Sequence, residues 1–172
     1  MKLILKFFFL IFLSLILTNH AIADCDSKPS DGVSYEGCAF ADGQDLSGTF
    51  IPNSNLTFTS FIQVNFTKSI MMNSNLSNGN FSEANFFRVN LYESVFEGGN
   101  FEKANFESTN LTRANFKAAT LIEASFKNAN LYGANLTNAN ILNTNFEGSN
   151  LNEVTWTNGK KCGADSIGKC NK

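Results

Sequence analysis

The chain has 172 residues, of which 43% are hydrophobic, with 18 phenylalanines, one histidine and a formal net charge of -2 at pH 7. This length fits one domain of ordinary size. The mildly acidic balance argues against a general phosphate-binding surface and therefore against a nucleic-acid partner.

Residues 1–23 are organised like a secretory leader. Two lysines precede an apolar run over residues 7–17, and small residues ending at Ala23 precede Asp24. This order predicts a signal peptide that is cleaved after Ala23. A membrane-spanning helix is disfavoured because the apolar run is shorter than the roughly 20 residues that a bilayer requires. A lipoprotein anchored at the next cysteine is disfavoured because Asp24 stands where the lipid-attachment motif needs a small neutral residue.

Export restricts the chemistry of the mature chain. The only histidine, His20, leaves with the leader, so no imidazole remains for a Ser-His-Asp or Cys-His site or for ordinary zinc ligation. We therefore expect a bacterial periplasmic or secreted protein that is not an enzyme, holds no cofactor or metal, and is not stably inserted in a membrane.

The mature chain divides into a cap, a long repeat and a second cap. Residues 24–42 are rich in Asp, Ser and Gly, which predicts a loop-like N-terminal cap. Residues 43–158 repeat a five-residue unit, and residues 159–172 abandon it, which predicts a C-terminal cap. Phe40 and Leu46 are six residues apart instead of five, which indicates a bulge or corner adjustment where the first cap joins the repeats.

The repeat unit has five positions. The first holds a small residue, the second is usually Asn, the third is a large apolar residue, and the last two are polar. A period of five suits neither an α-helix nor a flat strand, because successive apolar residues would point in different directions. They share one interior only if the backbone turns a corner at each unit and closes into stacked coils. The register is unbroken at every fifth residue from Leu46 to Trp156, and the residue two before each apolar centre is mostly small.

Residues 20 apart behave as stacked neighbours. At that separation the outward charges mostly alternate in sign, whereas a separation of 15, which a three-sided coil requires, gives fewer opposite pairs. Only Lys68 and Arg88 are like-charged neighbours at separation 20. The same separation stacks five phenylalanines above Leu46, and we expect Leu to dominate the neighbouring columns. The predicted ion pairs are Glu83–Lys103, Lys103–Glu123, Glu93–Arg113, Glu97–Lys117, Glu107–Lys127 and Lys127–Glu147.

The four cysteines flank the repeats, with Cys25 and Cys38 before them and Cys162 and Cys170 after them. Four cysteines allow three connectivities. A rod of about six coils at about 4.8 Å each separates its ends by about 30 Å, which is beyond the reach of a disulfide. We therefore predict the pairs Cys25–Cys38 and Cys162–Cys170. The same distance excludes a four-cysteine metal site.

These repeats resemble those of the pentapeptide-repeat family, whose unit is a small residue, Asp or Asn, Leu or Phe, and two polar residues. The resemblance covers about two thirds of the chain and implies an all-β fold, a right-handed quadrilateral parallel β-helix of about six coils of 20 residues. The tail after Trp156 is similar to the cysteine-containing ending of some exported members. We interpret Trp156 as a lid on the last coil and the Cys162–Cys170 loop as its clasp.

One outward surface is the candidate for recognition. The position after each apolar centre is normally polar, but Met72, Tyr92 and Tyr132 share one column and Phe87 lies at the adjoining corner. Exposed apolar clusters often mark partner surfaces. A smaller cluster lies on the opposite side and consists of Ile62, Ile122 and Leu142.

The sequence therefore predicts an exported, non-enzymatic module that binds another protein with the walls of a rigid rod. Glu97, Glu102 and Glu107 are spaced by five and fall on three different faces, which disfavours acid–base catalysis. The alternative is a DNA mimic that binds gyrase, as some members of the family do. The leader and the alternating charges disfavour it, since a mimic needs continuous acidic lines.

Overall fold

The computed structural model describes residues 25–171, so the predicted leader lies outside the described residues. Within this range the backbone is organised by parallel bridges one residue long, which run from Ser34 to Thr155, and it contains neither α-helices nor longer strands. From Asp45 onward each bridging residue pairs with the residue 20 positions later, as Asn85 pairs with Asn105. One coil therefore consists of four repeat units. No helix among the described residues has the length and apolar character needed to cross a membrane.

We name the four sides of the coil A to D in chain order. In the coil formed by residues 65–84, residues 65–67 lie on side A, 70–72 on side B, 75–77 on side C and 80–82 on side D. The 20-residue offset carries the same assignment to the coils below and above. On each side the middle residue is buried and its two neighbours point outward.

Each unit turns its corner with a residue in the left-handed conformation. In the unit centred on Phe106 this residue is Ser108, with φ 58°. The amide of Asn105 donates to the Ala84 carbonyl in the coil below (2.9 Å), and the amide of Phe106 donates to the Ser125 carbonyl in the coil above (2.7 Å). A positive φ costs a residue other than Gly roughly 1–2 kcal/mol. The corners are stable because hydrogen bonds to both neighbouring coils offset this cost.

Phenylalanine rings fill the interior in stacks. On side A the ring of Phe106 lies between those of Phe86 and Phe126, at centroid distances of 4.7 and 4.8 Å, and Phe126 stacks on Phe146 at 5.3 Å. The predicted side A column is therefore confirmed. The expectation that Leu dominates the neighbouring columns holds for side B but is wrong for side D. A second stack runs along side D through Phe40, Phe61, Phe81 and Phe101.

Two glycines make room for the side D stack. They occupy the inward position two residues before a phenylalanine, Gly79 before Phe81 and Gly99 before Phe101. A Cβ at Gly79 would lie 2.5 Å from the Phe81 ring, and one at Gly99 would lie 2.6 Å from the Phe101 ring. One coil later Leu121 takes the place of the phenylalanine, and Ala119, two residues before it, fills the inward position with 1% exposure. The small inward residue thus compensates for the large one before Phe81 and Phe101, whereas Thr59 precedes Phe61 in an earlier coil.

The first coil begins inside the range predicted as the N-terminal cap. Ser34 pairs with Asn55, an offset of 21 residues where the regular coils have 20. The offset changes from 21 to 20 between Ala39 and Asp45, so the additional residue before Leu46 lies between these two bridging positions. The disulfide between Cys25 and Cys38 ties the preceding loop to the first coil, with a Cα–Cα distance of 5.6 Å. Its counterpart at the other end joins Cys162 to Cys170, so both predicted pairs are present.

The C-terminal cap covers two of the four sides. On side B, Ile167 forms an antiparallel bridge with Asn150, and on side C, Lys161 forms one with Thr155. The amide of Leu151 donates to a carbonyl of the cap at 2.7 Å. These bonds replace those that a further coil would supply on sides B and C.

Within the described part of the chain, no further coil lies above sides D and A of the last coil. In earlier units the amide of the apolar centre donates a hydrogen bond to a carbonyl of the next coil. The corresponding amides of Ile141 and Phe146 have no backbone acceptor within residues 25–171. Leu142 is 60% exposed at this end. Trp156 is partly buried and packs its ring against Phe146 at 5.4 Å. The predicted lid at Trp156 is therefore only partial.

Ion pairs between adjacent coils follow the prediction in part. Glu83 accepts a hydrogen bond from Gln63 (2.9 Å), while Lys103 approaches its chain neighbour Glu102 at 3.8 Å. The predicted partners of Lys103 are therefore wrong, because an exposed lysine has several carboxylates within reach of its flexible stem. Lys127 lies within 4.0 Å of Glu147 and of no other carboxylate among residues 25–171. The predicted pairs that form are Arg113–Glu93 (3.0 Å), Lys117–Glu97 (3.1 Å) and Lys127–Glu147 (3.5 Å).

Candidate interaction surface

Side chains occupy the interior of the rod. The central residues of successive units, such as Phe86, Leu91 and Phe96, are 0% exposed. A cleft of about 360 Å³ lies at the N-terminal end of the rod, between residues 25–29 and the first coil. Across residues 25–171, no three His, Cys, Asp or Glu side chains are grouped closely enough to hold a metal ion. The surfaces of the described chain that remain available for contact are therefore its outer walls and this end cleft.

The three consecutive glutamates do not form a reaction centre. Glu97 and Glu102 lie on sides C and D of one coil, and Glu107 lies on side A of the next coil. The carboxylate of Glu97 is bound by the Nζ of Lys117 at 3.1 Å. Acid–base catalysis requires carboxyl groups that face one reacting bond. Carboxylates on three different walls cannot face the same bond.

The structure brings together three of the four residues predicted to form the recognition surface. Met72 and Tyr92 lie in adjacent coils on side B and are partly buried, and Phe87 lies at the end of side A beside the corner. Tyr132 is also on side B and is 43% exposed. It is separated from Tyr92 by a coil that carries Thr112 at the same outward position, whose hydroxyl accepts a hydrogen bond from the side chain of Asn130 (3.0 Å).

Sequence reasoning missed two residues of this surface. Phe50 is 54% exposed and Ile70 is 37% exposed, and the two bridge in register on side B. They occupy the outward position before the apolar centre, where most units carry Asn. Ile70 and Met72 point outward from the same side of one coil, so the apolar area is continuous. We call Phe50, Ile70, Met72, Phe87 and Tyr92 the B-side patch.

A hydrogen-bonded cluster fixes the upper edge of the B-side patch. The hydroxyl of Tyr92 donates to Oε1 of Glu93 at 2.7 Å, and Nη1 of Arg113 donates to the same oxygen at 3.0 Å. The hydrogen bond from Tyr92 is the largest cause of a lowered pKa for the Glu93 carboxyl, with Arg113 acting in the same direction. The same bond raises the pKa of Tyr92, because ionisation would place two negative charges in contact.

The apolar cluster on the opposite side is less continuous. Ile62 and Ile122 are partly buried on side D, and Leu142 is exposed at its C-terminal end. Ser82 and Glu102 occupy the equivalent outward positions in the coils between Ile62 and Ile122. Side D therefore presents separated apolar side chains and provides a matched control surface for side B.

Comparison with family models identifies the class of protein. The model described as pentapeptide repeats matches eight copies, over residues 43–78, 80–117, 90–128 and 114–153. These matches cover more than half of the chain, and the chain belongs to the pentapeptide-repeat family. A comparison with curated protein sequences finds no match.

Solved structures show the same fold. The chain is similar to a pentapeptide repeat protein (Rfr23) from the cyanobacterium Cyanothece 51142, with 26% identity, a TM-score of 0.54, and coverage of 66% of this chain and 88% of that one. It is also similar to trypsin-treated QnrB1, a plasmid-mediated fluoroquinolone resistance protein, with 23% identity and a TM-score of 0.57. That match covers 72% of this chain and 63% of QnrB1. The fold is therefore the right-handed β-helix of pentapeptide-repeat proteins.

Proposed function

We propose that this protein is an exported, non-enzymatic interaction module, a rod of about six coils that binds another protein through side B. The observation that carries the proposal is the replacement of outward polar residues by the B-side patch on a rod whose interior is filled. A filled interior leaves recognition to the outer surface, and the apolar area on side B is where a partner gains the most from burial.

Two features support export to the periplasm or the cell exterior. Residues 1–23 have the charge and hydrophobicity order of a signal peptide. The disulfides Cys25–Cys38 and Cys162–Cys170 belong to an oxidising compartment. Cell fractionation with N-terminal sequencing tests this part, and we expect a mature chain that begins at Asp24. A full-length chain retained in the cytoplasm would overturn it.

The interaction itself is tested by photo-crosslinking in the compartment where the mature protein resides. A crosslinker beside the patch should capture one reproducible protein, and Phe50→Ser/Ile70→Ser/Met72→Ser should abolish the capture. The matched control on side D is the triple serine variant of Ile62, Ile122 and Leu142, which should capture normally. Circular dichroism must show that both variants are folded. Equal capture by the two variants would reject side B as the binding surface.

The alternative of a gyrase-binding DNA mimic has less support. A mimic needs acidic lines that resemble a phosphate backbone, whereas Arg113, Lys117 and Lys127 each pair with a glutamate of a neighbouring coil. The likeness to QnrB1 at 23% identity concerns the fold alone. A supercoiling assay in which the mature protein protects gyrase from a quinolone would reverse this ranking.

A further inference from the structure

Two cations on one corner have no ionic partner among residues 25–171. Residues 43–158 contain six Lys and Arg residues. Four of them, Lys103, Arg113, Lys117 and Lys127, lie within 4.0 Å of a carboxylate. Across the described range 25–171, no carboxylate lies within that distance of Lys68 or Arg88. The two cations of the repeats without such a partner are thus neighbours of each other.

Lys68 and Arg88 occupy the same position in adjacent coils. Both stand at the corner between sides A and B, with φ 61° and 57°, and both are exposed. The amide of Lys68 donates to the carbonyl of Phe87, directly before Arg88 (3.0 Å). Like charges on neighbouring strands repel each other. The pair therefore destabilises the rod slightly, whereas the paired cations of the repeats stabilise it.

These two cations border the B-side patch. Ile70 begins side B two residues after Lys68. The guanidinium carbon of Arg88 lies 4.9 Å from the centroid of the Phe87 ring, a cation–π contact that orients its planar donors. The nearest acidic positions in the adjoining columns are Asp45, which accepts hydrogen bonds from Ser47 and Asn65, and Glu107 in the coil above Phe87.

We infer that the corner and the patch together form a docking site for an acidic polypeptide segment, with Lys68 and Arg88 binding two of its carboxylates and the B-side patch covering its apolar side chains. This inference rests on the proposed function and adds the chemistry of the partner. Two cations one coil apart fit carboxylates carried on an extended or turning chain. The adjoining apolar area supplies the desolvated contact that exposed ion pairs alone lack.

An acidic membrane is a less suitable occupant. Attraction to anionic lipid requires clusters of about four to eight basic residues, and this corner has two. The whole chain carries a net charge of -2, so the rest of the rod is repelled by an anionic bilayer. The charge complementarity at this corner therefore favours a polypeptide.

The test uses the mature, disulfide-bonded protein and a display library of short random peptides. We expect the selected peptides to combine Asp or Glu with Leu, Phe or similar side chains. The variant Lys68→Glu/Arg88→Glu keeps the mutual repulsion of the pair, inverts its sign and removes the contact of Arg88 with Phe87. Both positions are exposed, so its stability should stay close to that of the parent. Its affinity for a selected acidic peptide should fall about tenfold or more, and a Lys-substituted version of that peptide should bind it better than it binds the parent.

Each other outcome overturns the inference. Selection of basic or purely apolar peptides would do so, as would equal binding of the acidic peptide to the parent and the double variant. Equal losses for Lys127→Glu, a paired cation on side A, would show a nonspecific charge effect. Binding to anionic vesicles in preference to the acidic peptide would place a membrane at the site. If Lys68→Glu/Arg88→Glu still captures the cellular partner and Phe50→Ser/Ile70→Ser/Met72→Ser does not, the proposed function stands and this inference fails.

Discussion

Truncation of Phe106 to Ala is the most direct test of the stacked interior. Its ring is 0% exposed, stacks on Phe86 and Phe126 at 4.7 and 4.8 Å, and meets Phe96 and Phe116 edge-on at 6.1 and 5.7 Å. Burial of about 200 Å² at about 25 cal/mol per Å² is worth about 5 kcal/mol, of which Ala retains a part. The lost ring contacts and the cavity between two coils raise the cost again. We expect Phe106→Ala to lower the free energy of unfolding by about 4 kcal/mol.

Urea denaturation of the mature, oxidised protein measures this loss. Circular dichroism follows the coils and Trp156 fluorescence follows the C-terminal end, since a repeat protein can unfold in stages. Phe106→Leu keeps most of the buried area and should cost about 1–2 kcal/mol. Phe58→Ala is the exposed control, at a corner residue that is 62% exposed, and should change stability by less than about 0.5 kcal/mol. If Phe106→Ala costs no more than Phe58→Ala, the stacked core is refuted.

Three further predictions test other parts of the rod. Gly99→Ala should cost about 1–3 kcal/mol, because its Cβ would overlap a buried ring, and an unchanged urea midpoint would contradict the packing. Replacing Cys162 and Cys170 with Ser should cost about 2–3 kcal/mol and loosen the capped end first, which hydrogen exchange would detect; uniform exchange along the rod would contradict this. Tyr92→Phe should raise the pKa of Glu93 toward its ordinary value of 4.5 in an NMR titration. Since the folded-state pKa of Glu93 is lowered, its stabilising effect is present above that ordinary value and is lost as the pH falls through the folded pKa.

The register of the rod was predictable because each repeat unit carries the same information. The five-residue period places Phe86, Phe106 and Phe126 in one column once residues 20 apart are stacked, and the outward charges select 20 over 15. The disulfide pairs followed from the length of the rod. Errors arose where a side chain chooses among several partners, as Lys103 does with Glu102, because the register fixes Cα positions and leaves long exposed side chains free.

The candidate surface was only half predictable. The prediction rested on the position after each apolar centre, which identifies Met72 and Tyr92. Phe50 and Ile70 stand at the position before the centre, where most units carry Asn, and that position was not part of the predicted surface. Their effect depends on stacking, which places Phe50 in register with Ile70. The sequence also did not predict that the C-terminal cap covers only two sides, since the path of an irregular loop is set by tertiary contacts.

The 20-residue offset also limits how such a rod changes length during evolution. Gain or loss of a complete coil preserves the four walls and their order, so duplications of that size extend the molecule without redesign. A single five-residue unit inserted in the middle rotates everything beyond it by a quarter turn. Rings then meet the columns of another wall, ionic partners are separated, and the closing loop caps a different pair of sides. Lineages of this rod should therefore differ in length by whole turns.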